Sequence, residues 1–182
     1  MRVIAGAFRG RRLHAPKGPG IRPTIDRVRE AVFNIIASEV PDAQVLDLFA
    51  GTGAMGIEAL SRGAARCVFV DQSAEAVRLV RENLELCGVE DRALVIRDGV
   101  PSAIRGLAAR GERFELIFID PPYGRGHLEK TMDILDAVAA PGALAVAEHF
   151  IKDESPVGLK IWTKKTERRY GDTLISIYSK LG

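Results

Sequence analysis

The sequence predicts an α/β fold built on a doubly wound, mostly parallel sheet. From residue 44 onward, short apolar runs typical of buried strands alternate with segments of helical periodicity. Such alternation is typical of parallel strands joined by helices that cover both faces of a sheet. After Pro156 the pattern changes to two extended runs separated by a Tyr-Gly-Asp turn, which predicts a closing antiparallel hairpin.

Residues 1–40 are predicted to form a basic N-terminal extension that packs on a body spanning residues 41–182. The extension begins with a short β-hairpin over residues 2–14 and continues through a Pro- and Gly-rich linker. A helix then follows, capped by Thr24 and running to about Ser38. Four residues are spaced for one apolar face of this helix: Ile25, Val28, Val32 and Ile35.

Apolar runs define the strands of the body. Five predicted strands precede the hairpin, near residues 45–49, 67–70, 93–97, 114–119 and 143–147. The two hairpin strands are predicted at residues 159–164 and 173–178. Between the strands, one helix is marked by Val77, Val80, Leu84 and Cys87 and is ended by Gly88. A second helix is predicted over residues 128–138.

The net charge of +2 is unevenly distributed along the chain. Residues 1–30 hold eight basic side chains against two acidic ones, a net charge of +6; the remainder holds eighteen against twenty-two, a net charge of −4. Arg outnumbers Lys seven to one in the basic segment, which favours phosphate recognition by the planar guanidinium. A basic arm on a mildly acidic body indicates a polyanionic partner, although a solvated basic face would share this pattern.

Composition excludes several other classes of protein. No apolar run approaches the ~18 residues that a membrane helix needs, and residues 1–6 lack a signal-peptide core. The two cysteines, Cys67 and Cys87, are predicted to be core thiols, so we expect a reducing cytoplasm. The three histidines have no metal-ligand spacing with one another or with cysteine, so no metal site is predicted.

The most informative motif is Asp-Pro-Pro-Tyr at residues 120–123, directly after a predicted buried strand. Ligands of open α/β sheets bind at such strand ends. The prolines offer carbonyl acceptors without N–H groups of their own. An acid and a bare carbonyl beside an aromatic ring suit a planar group that bears an NH₂, such as a nucleobase. A proline turn with a capping Asp and a core Tyr is the alternative interpretation.

A second motif, G-x-G-x-x-G, follows the first strand of the body at Gly51, Gly53 and Gly56. Asp71 lies 20 residues after Gly51, at the end of the next strand, and both features match the dinucleotide fingerprint. An NAD-dependent oxidoreductase is therefore one candidate. Asp47, four residues before Gly51, opposes it, because a pyrophosphate over this turn would face an uncompensated carboxylate.

S-adenosylmethionine suits these acids better, because it carries a sulfonium and an ammonium but no phosphate. Asp71 is placed to accept hydrogen bonds from ribose hydroxyls, and Asp98 from the adenine amine. With Asp120, acids thus follow four successive strands, whereas any one of them alone would be explained as a helix cap. The predicted cofactor site comprises Asp47, Phe49, Gly51, Gly53, Asp71, Asp98 and Gly99.

Together the D-P-P-Y turn and the L-D-L-F-A-G-T-G loop resemble S-adenosylmethionine-dependent methyltransferases that act on exocyclic amines. The R-P-T-I-D-R-V-R-E-A run at residues 22–31, the opening R-V-I-A-G, the G-R-R-L run and the late Y-G-D-T narrow the resemblance. The chain resembles the bacterial 16S rRNA guanine-N2 methyltransferases (guanine-966 type) from Arg2 to about Ser179. This resemblance implies a Rossmann-like seven-stranded sheet with a C-terminal antiparallel hairpin.

The resemblance also implies roles for individual residues. Asp120 and the Pro121 carbonyl would accept hydrogen bonds from the guanine amine, in a turn completed by Pro122, and Tyr123 would stack on the base. The predicted rRNA contacts, besides Tyr123, are Arg9, Arg11, Arg12, Arg22, Arg27 and Arg29. The implied partner is 16S rRNA, and the sequence leaves open whether it is free or within a partly or fully assembled 30S subunit.

Three other functions remain open on the sequence alone. An adenine-N6 DNA or protein-glutamine methyltransferase shares the D-P-P-Y chemistry. The chain shows no target-recognition domain for DNA, and the basic arm has no evident use with glutamine. The oxidoreductase leaves Asp47 and the D-P-P-Y turn unexplained. A non-catalytic RNA-binding factor would explain only the basic arm.

Overall fold

One mixed sheet forms the centre of the protein. A computed structural model describes residues 1–16, 23–122, 126–151, 159 and 161–181. Within these residues lie seven strands: β1 (Gln44–Leu48), β2 (Arg66–Asp71), β3 (Ala93–Arg97), β4 (Phe114–Ile119), β5 (Ala139–Phe150), β6 (Trp162–Tyr170) and β7 (Thr173–Lys180). They lie in the order β3-β2-β1-β4-β5-β7-β6, parallel from β3 to β5 and antiparallel through β7 and β6. This confirms the predicted fold class.

Helices cover both faces of the sheet, as the alternating pattern predicts. They are α1 (Pro23–Ile35), α2 (Ala54–Ser61), α3 (Ala74–Cys87), α4 (Val100–Ala109) and α5 (His127–Met132). One hydrophobic cluster contains side chains of α1, α2 and α3, and we call its side of the sheet the α1 face. A second cluster contains side chains of α4 and α5 on the opposite face. None of the helices in the described ranges is long and apolar enough to span a membrane.

The helix α3 shows how local sequence fixes the elements. The Ser73 hydroxyl accepts a hydrogen bond from the Ala76 N–H and caps the start of α3, and Gly88 ends it in the left-handed conformation at φ 67°. The four residues predicted to mark the apolar face are all buried: Val77, Val80, Leu84 and Cys87. Cys67 and Cys87 are buried free thiols, as expected.

The N-terminal helix differs from its prediction. Because α1 begins at Pro23, Thr24 lies within the helix and not at the position that precedes it. Phe33 and Ile36 are buried, at 0% and 1% exposure, whereas Ile35 is 45% exposed. The buried face of α1 therefore includes Phe33, which was not predicted, and Ile35 lies at the edge of that face. Phe33 packs on Phe118 of β4, with ring centroids 5.6 Å apart.

Three further predictions need correction. The predicted N-terminal hairpin forms no regular strands; it has one antiparallel bridge between Arg2 and Arg12, flanked by hydrogen bonds from the Val3 N–H to the Arg11 carbonyl and from the Leu13 N–H to the Met1 carbonyl. The predicted helix over residues 128–138 divides into α5 and a 3₁₀ turn at Leu135–Ala137, because its apolar periodicity reflects burial and not one continuous helix. The helix α4, after Gly99, was not predicted.

The extension is tied to the body through the buried carboxylate of Glu58 on α2. Glu58 accepts the N–H groups of Ile4 and Ala5, at 2.8 and 3.0 Å, and the Nε–H of Arg62 at 2.8 Å. Val3, Leu13, Val28 and Val32 also join the cluster on the α1 face. The described part of the extension therefore shares the core of the body, and the boundary at residue 40 stays a prediction.

Strand order places the candidate site. The chain leaves β1 toward β2 on one side, and β4 lies on the other side of β1. This reversal opens a crevice at the carboxyl ends of the parallel strands, where open α/β sheets bind ligands. Asp47, Asp71, Asp98 and Asp120 all lie at or beside these ends.

Candidate active site

The glycine loop after β1 requires its glycines for two different reasons. Gly51 and Gly53 have φ values of 56° and 74°, a region that L side chains rarely adopt. A Cβ on Gly56 would lie 2.3 Å from the Phe69 ring and 2.6 Å from the Cys67 Sγ, so Gly56 permits close packing of α2 on β2. A Cβ on Gly51 would meet only the Phe49 carbonyl, at 3.9 Å, which leaves the loop surface open to a ligand.

Asp71 holds this loop against β2. Its Oδ2 accepts the Gly51 N–H at 2.9 Å, and its Oδ1 accepts the Ser73 N–H at 2.8 Å. A carboxylate has about four acceptor positions, so two remain for ribose hydroxyls. Asp71 therefore orients the loop in addition to the binding role predicted for it.

Asp47 is buried beneath the loop. Its Oδ2 accepts the Gly56 N–H at 3.0 Å. Burial raises the pKa of Asp47 to about 7; the Gly56 hydrogen bond opposes this effect and the charge of Asp71 adds to it. No cation of the described residues forms an ion pair with Asp47. A ligand ammonium would stabilise its ionised form.

The remaining predicted cofactor residues surround the same crevice. The Asp98 N–H donates to the Asp71 carbonyl at 3.2 Å, and the Asp98 Oδ1 accepts the Gly99 N–H at 2.7 Å. Gly99 is the N-cap of α4. Phe49 has a left-handed φ of 60°, and its ring lies 6.5 Å from the His127 ring. Asp98 is thus joined to the end of β2, and the Phe49 ring lies near His127 of α5.

The described part of the D-P-P-Y motif, Asp120 to Pro122, directly follows β4. The Asp120 N–H donates to the Leu48 carbonyl at 3.4 Å, which joins the ends of β4 and β1. Pro121 is buried and Pro122 is exposed. Tyr123, to which stacking on the base was assigned, lies outside the described residues, as does Arg22 of the predicted rRNA contacts.

A further acid, Glu148, was missed from the sequence. In the register of β4 and β5, Ile119 pairs with Ala147, so Asp120 and Glu148 are the next residues along neighbouring strands. The predicted fifth strand ended at residue 147, whereas β5 continues to Phe150. The available signal was the same as for the other acids, a carboxylate at the end of a strand.

The carboxyls of Asp120 and Glu148 are close enough for their charges to interact. Desolvation raises the pKa of Asp120 well above its ordinary range, and the charges of Glu148 and then Asp47 raise it further. Desolvation also raises the pKa of Glu148. Asp120 as a whole residue is exposed to solvent, although protein atoms surround its carboxyl group. Solvent in the open crevice therefore partly screens the repulsion between the carboxyls of Asp120 and Glu148. The pair therefore retains protons to higher pH than isolated carboxyls would.

The described acids do not form a metal site. Within the described ranges, no three His, Cys, Asp or Glu side chains are grouped so that they could hold an ion.

The predicted rRNA-binding arginines separate into two groups. Arg9, Arg11, Arg12 and Arg27 are exposed. Arg29 is 3% exposed; it contacts Asp26 at 3.1 Å and donates to the Arg2 carbonyl at 2.5 Å, so its assignment to rRNA is wrong. A surface cleft of about 420 Å³ is lined by Arg2, Arg9 and Arg27, together with Asp26 and Glu30.

The N-terminal arm, residues 1–30, is also linked to the glycine loop by the side chain of Asn83. Asn83, fully buried on α3, donates to the His14 carbonyl at 3.0 Å and to the Thr52 carbonyl at 2.9 Å, and its Oδ1 accepts the His14 N–H. The Asn83 side chain thus links the N-terminal arm to the loop that is predicted to contact the cofactor. Sequence patterns gave no sign of this link, since an interior Asn on a helix has many possible partners.

Known proteins resemble the chain over nearly its whole length. The protein family described as "Conserved hypothetical protein 95" matches residues 1–179. The chain belongs to this family. It is 40% identical to "Putative rRNA methyltransferase YlbH" of Bacillus subtilis (strain 168) over 186 positions, covering 100% of both chains. It is 36% identical to "Ribosomal RNA small subunit methyltransferase D" of Escherichia coli (strain K12), over 99% of this chain and 90% of that one.

Solved structures agree with this family membership. "Putative methyltransferase yhhF from Escherichia coli" superposes with a TM-score of 0.87 at 36% identity, over 100% of this chain and 98% of that one. The methyltransferase-family resemblance stated from the D-P-P-Y turn and the glycine loop is therefore confirmed.

Proposed function

We propose that this family member is an S-adenosyl-L-methionine-dependent methyltransferase that methylates the exocyclic N2 of a guanine in 16S rRNA. The observation that carries this proposal is the group of acidic strand ends around the crevice between β1 and β4, where Asp120 is followed by two prolines. The names of the B. subtilis and E. coli relatives support rRNA, and in the E. coli case the small ribosomal subunit, as the substrate.

The residues present suit S-adenosylmethionine. Asp47 is a buried carboxylate without a cationic partner among the described residues, and it suits the ammonium of the methionine part. Asp71 retains acceptor positions for ribose hydroxyls, and Asp98 suits the adenine amine. When bound, the cofactor supplies a methyl group activated on a sulfonium.

Protein residues would then prepare the guanine amine. Its nitrogen is a weak nucleophile because the lone pair is delocalised into the ring. Acceptors at Asp120 and the Pro121 carbonyl would localise that lone pair, and Tyr123 would stack on a base that has left its helix. Because the methyl group is already activated, positioning supplies much of the acceleration.

The rRNA would lie along the exposed arginines of the extension. Arg9, Arg11, Arg12 and Arg27 offer guanidinium groups to phosphates, and Arg22 stays in the proposed set. The substrate is the rRNA alone or an assembled 30S subunit. Such a substrate implies action in the cytoplasm.

An oxidoreductase is disfavoured by the position of Asp47. This acid lies directly beneath the loop that would hold a pyrophosphate, and its pKa is already raised by burial. A dinucleotide would add further like charge there. An adenine-N6 methyltransferase remains the second candidate, because Asp120 and the two prolines suit either amine.

Two measurements test the proposal. Equilibrium dialysis should show binding of S-adenosylmethionine and none of NAD. Radiolabelled methyl transfer onto undermodified 16S rRNA, both free and assembled into 30S subunits, should label N2-methylguanosine after digestion to nucleosides. Label in N6-methyladenosine would favour the second candidate, and NAD binding would favour the oxidoreductase.

A further inference from the structure

We infer that Glu148 recognises the N1–H of the target guanine and thereby selects guanine over adenine. This inference rests on the proposed function and adds a residue to its site. It starts from the register of β4 and β5, in which Ile119 pairs with Ala147. Partners on adjacent parallel strands share a face, so Asp120 and Glu148, one residue further along, also share one.

The shared face is the one that bears Asp47. Asp47 pairs with Phe118, and Phe118 pairs with Val146. Because side chains alternate along a strand, Asp120 and Glu148 lie two residues beyond Phe118 and Val146 on that same α1 face. The three acids therefore lie on one surface, at the crevice where the target base is proposed to enter.

The pair lacks a cationic partner among the described residues. Neither Asp120 nor Glu148 forms an ion pair with any described residue, although both are crowded by protein atoms. Adjacent like charges on neighbouring strands destabilise a sheet. A ligand that presents hydrogen-bond donors to both carboxyls would relieve this repulsion.

Guanine presents two adjacent donor groups, whereas adenine presents only its amine. The Watson–Crick edge of guanine carries the N1–H next to the N2 amine, whereas adenine N1 is an acceptor. Neighbouring strands lie about 4.8 Å apart, so one carboxyl at each strand end can reach one of two adjacent donors. With Asp120 on the amine, Glu148 would accept the N1–H and increase electron density at N2.

The test combines a substrate change with a protein change. After the accepted guanine is mapped in the wild-type reaction, an rRNA carrying 1-methylguanine at that position is compared with the unmodified rRNA. The wild-type kcat/KM should fall by about ten- to a hundredfold on the 1-methylguanine substrate, because the donor for Glu148 is removed and a methyl group takes its place. This arm uses the unaltered protein and does not depend on how a variant folds.

The variants Glu148→Gln and Glu148→Ala supply the second arm, with Glu75→Gln on the exposed start of α3 as a matched control. Glu148→Ala should slow methylation of guanine by a similar factor and should no longer distinguish guanine from 1-methylguanine. Its affinity for S-adenosylmethionine should match the wild type. The charge-neutral Gln should retain part of the activity, because its carbonyl still accepts a hydrogen bond.

Two results would overturn the inference alone: equal wild-type rates on both substrates, or full discrimination by Glu148→Ala. A wild-type protein that methylates no guanine would contradict the proposed function as well.

A separate observation concerns the edge strand β6, on which two neighbouring arginines lie on opposite faces. Arg168 pairs with Ile175, which in turn pairs with Glu148, so Arg168 lies on the α1 face about 10 Å from the Glu148 backbone. Arg169 pairs with Leu174 and lies on the other face. Both are exposed.

We propose that Arg168 binds an rRNA phosphate next to the target nucleotide, which again rests on the proposed function. Its Nη1 donates to the Glu167 carbonyl, at 3.2 Å, and this leaves most of its five donors for a ligand. A cation beside the acidic crevice would counter the repulsion that Asp120 and Glu148 exert on a phosphate backbone.

Arg169→Ala is the matched control, since it removes the same charge from the opposite face. Arg168→Ala should lower the log–log salt dependence of rRNA affinity by about one unit, and Arg169→Ala should leave it unchanged. S-adenosylmethionine affinity should be unaltered in both. Equal effects of the two variants, or no effect of Arg168→Ala on a wild-type protein that binds rRNA, would overturn the proposal.

Discussion

The carboxylate of Asp71, at the end of β2, accepts a hydrogen bond from the Gly51 N–H at 2.9 Å, which fixes the glycine loop against the neighbouring strand. Asp71→Ala should therefore weaken S-adenosylmethionine binding by more than the loss of a ribose contact, which alone is worth roughly 1–3 kcal/mol. Asp71→Asn should be milder, because its carbonyl still accepts one N–H. Calorimetry on folded variants, with the exposed Asp91→Ala as control, checks this; wild-type affinity in Asp71→Ala would contradict the placement.

Asp47 predicts a pH dependence of cofactor binding. Its pKa is raised to about 7, and only the ionised form attracts an ammonium. Affinity for S-adenosylmethionine should therefore fall as pH is lowered through 7, approaching a factor of about ten per pH unit. Asp47→Asn keeps an acceptor for the Gly56 N–H but removes the charge, so its affinity should be low and insensitive to pH. A wild-type affinity that stays constant between pH 5.5 and 8.5 would argue against contact with the ammonium.

The fully buried Glu58 predicts a large stability effect. It accepts two backbone N–H groups of the arm and the Arg62 Nε–H, and Arg29 lies 3.8 Å away. Glu58→Ala should lower the free energy of unfolding by about 3–5 kcal/mol, because it leaves buried donors and a buried cation without a partner. Urea denaturation measures this. The exposed Glu85→Ala on α3 should change it by less than about 0.5 kcal/mol, and a similar small value for Glu58→Ala would show that the network is dispensable.

The exposed arginines of the arm predict a salt effect on rRNA binding. Replacing Arg9, Arg11 and Arg12 with Ala should lower the log–log salt slope by about two to three units, since each phosphate contact releases counterions. The control replaces Arg105, Arg110 and Arg113, which are exposed near α4. Because Arg11 also donates to the Leu86 carbonyl and lies over the Phe8 ring, folding of the triple variant is checked separately. An unchanged slope would indicate that this segment is only a solvated face.

The sequence predicted residues whose role follows from their position in a motif. Gly51 and Gly53 were identifiable because a turn with positive φ needs glycine, and Asp120 because it directly follows an apolar run. Glu148 was missed although it directly follows the predicted fifth strand, as Asp120 follows the fourth; no motif such as D-P-P-Y marked it, and β5 continues three residues past the predicted end, to Phe150. Arg29 was assigned to rRNA because a count of charges does not report burial; Asp26 three residues before it was the available sign of an internal ion pair.

Contacts between segments that are far apart in the chain could not be predicted from the sequence. The link from His14 through Asn83 to Thr52 joins residues 69 and 31 positions apart. Nothing in the local pattern of α3 indicates that its buried Asn has these partners. The same holds for the contact of Glu58 with the arm.

The most direct test of the account is the effect of Asp120→Ala on methyl transfer at saturating S-adenosylmethionine. Under single-turnover conditions, the wild-type protein should convert undermodified 16S rRNA to a product containing N2-methylguanosine. Asp120→Ala should yield no detectable product, while its cofactor affinity by calorimetry stays close to the wild-type value. Methylation of guanine N2 by Asp120→Ala at near wild-type rate would contradict the central claim that the strand-end carboxylate acts on the amine.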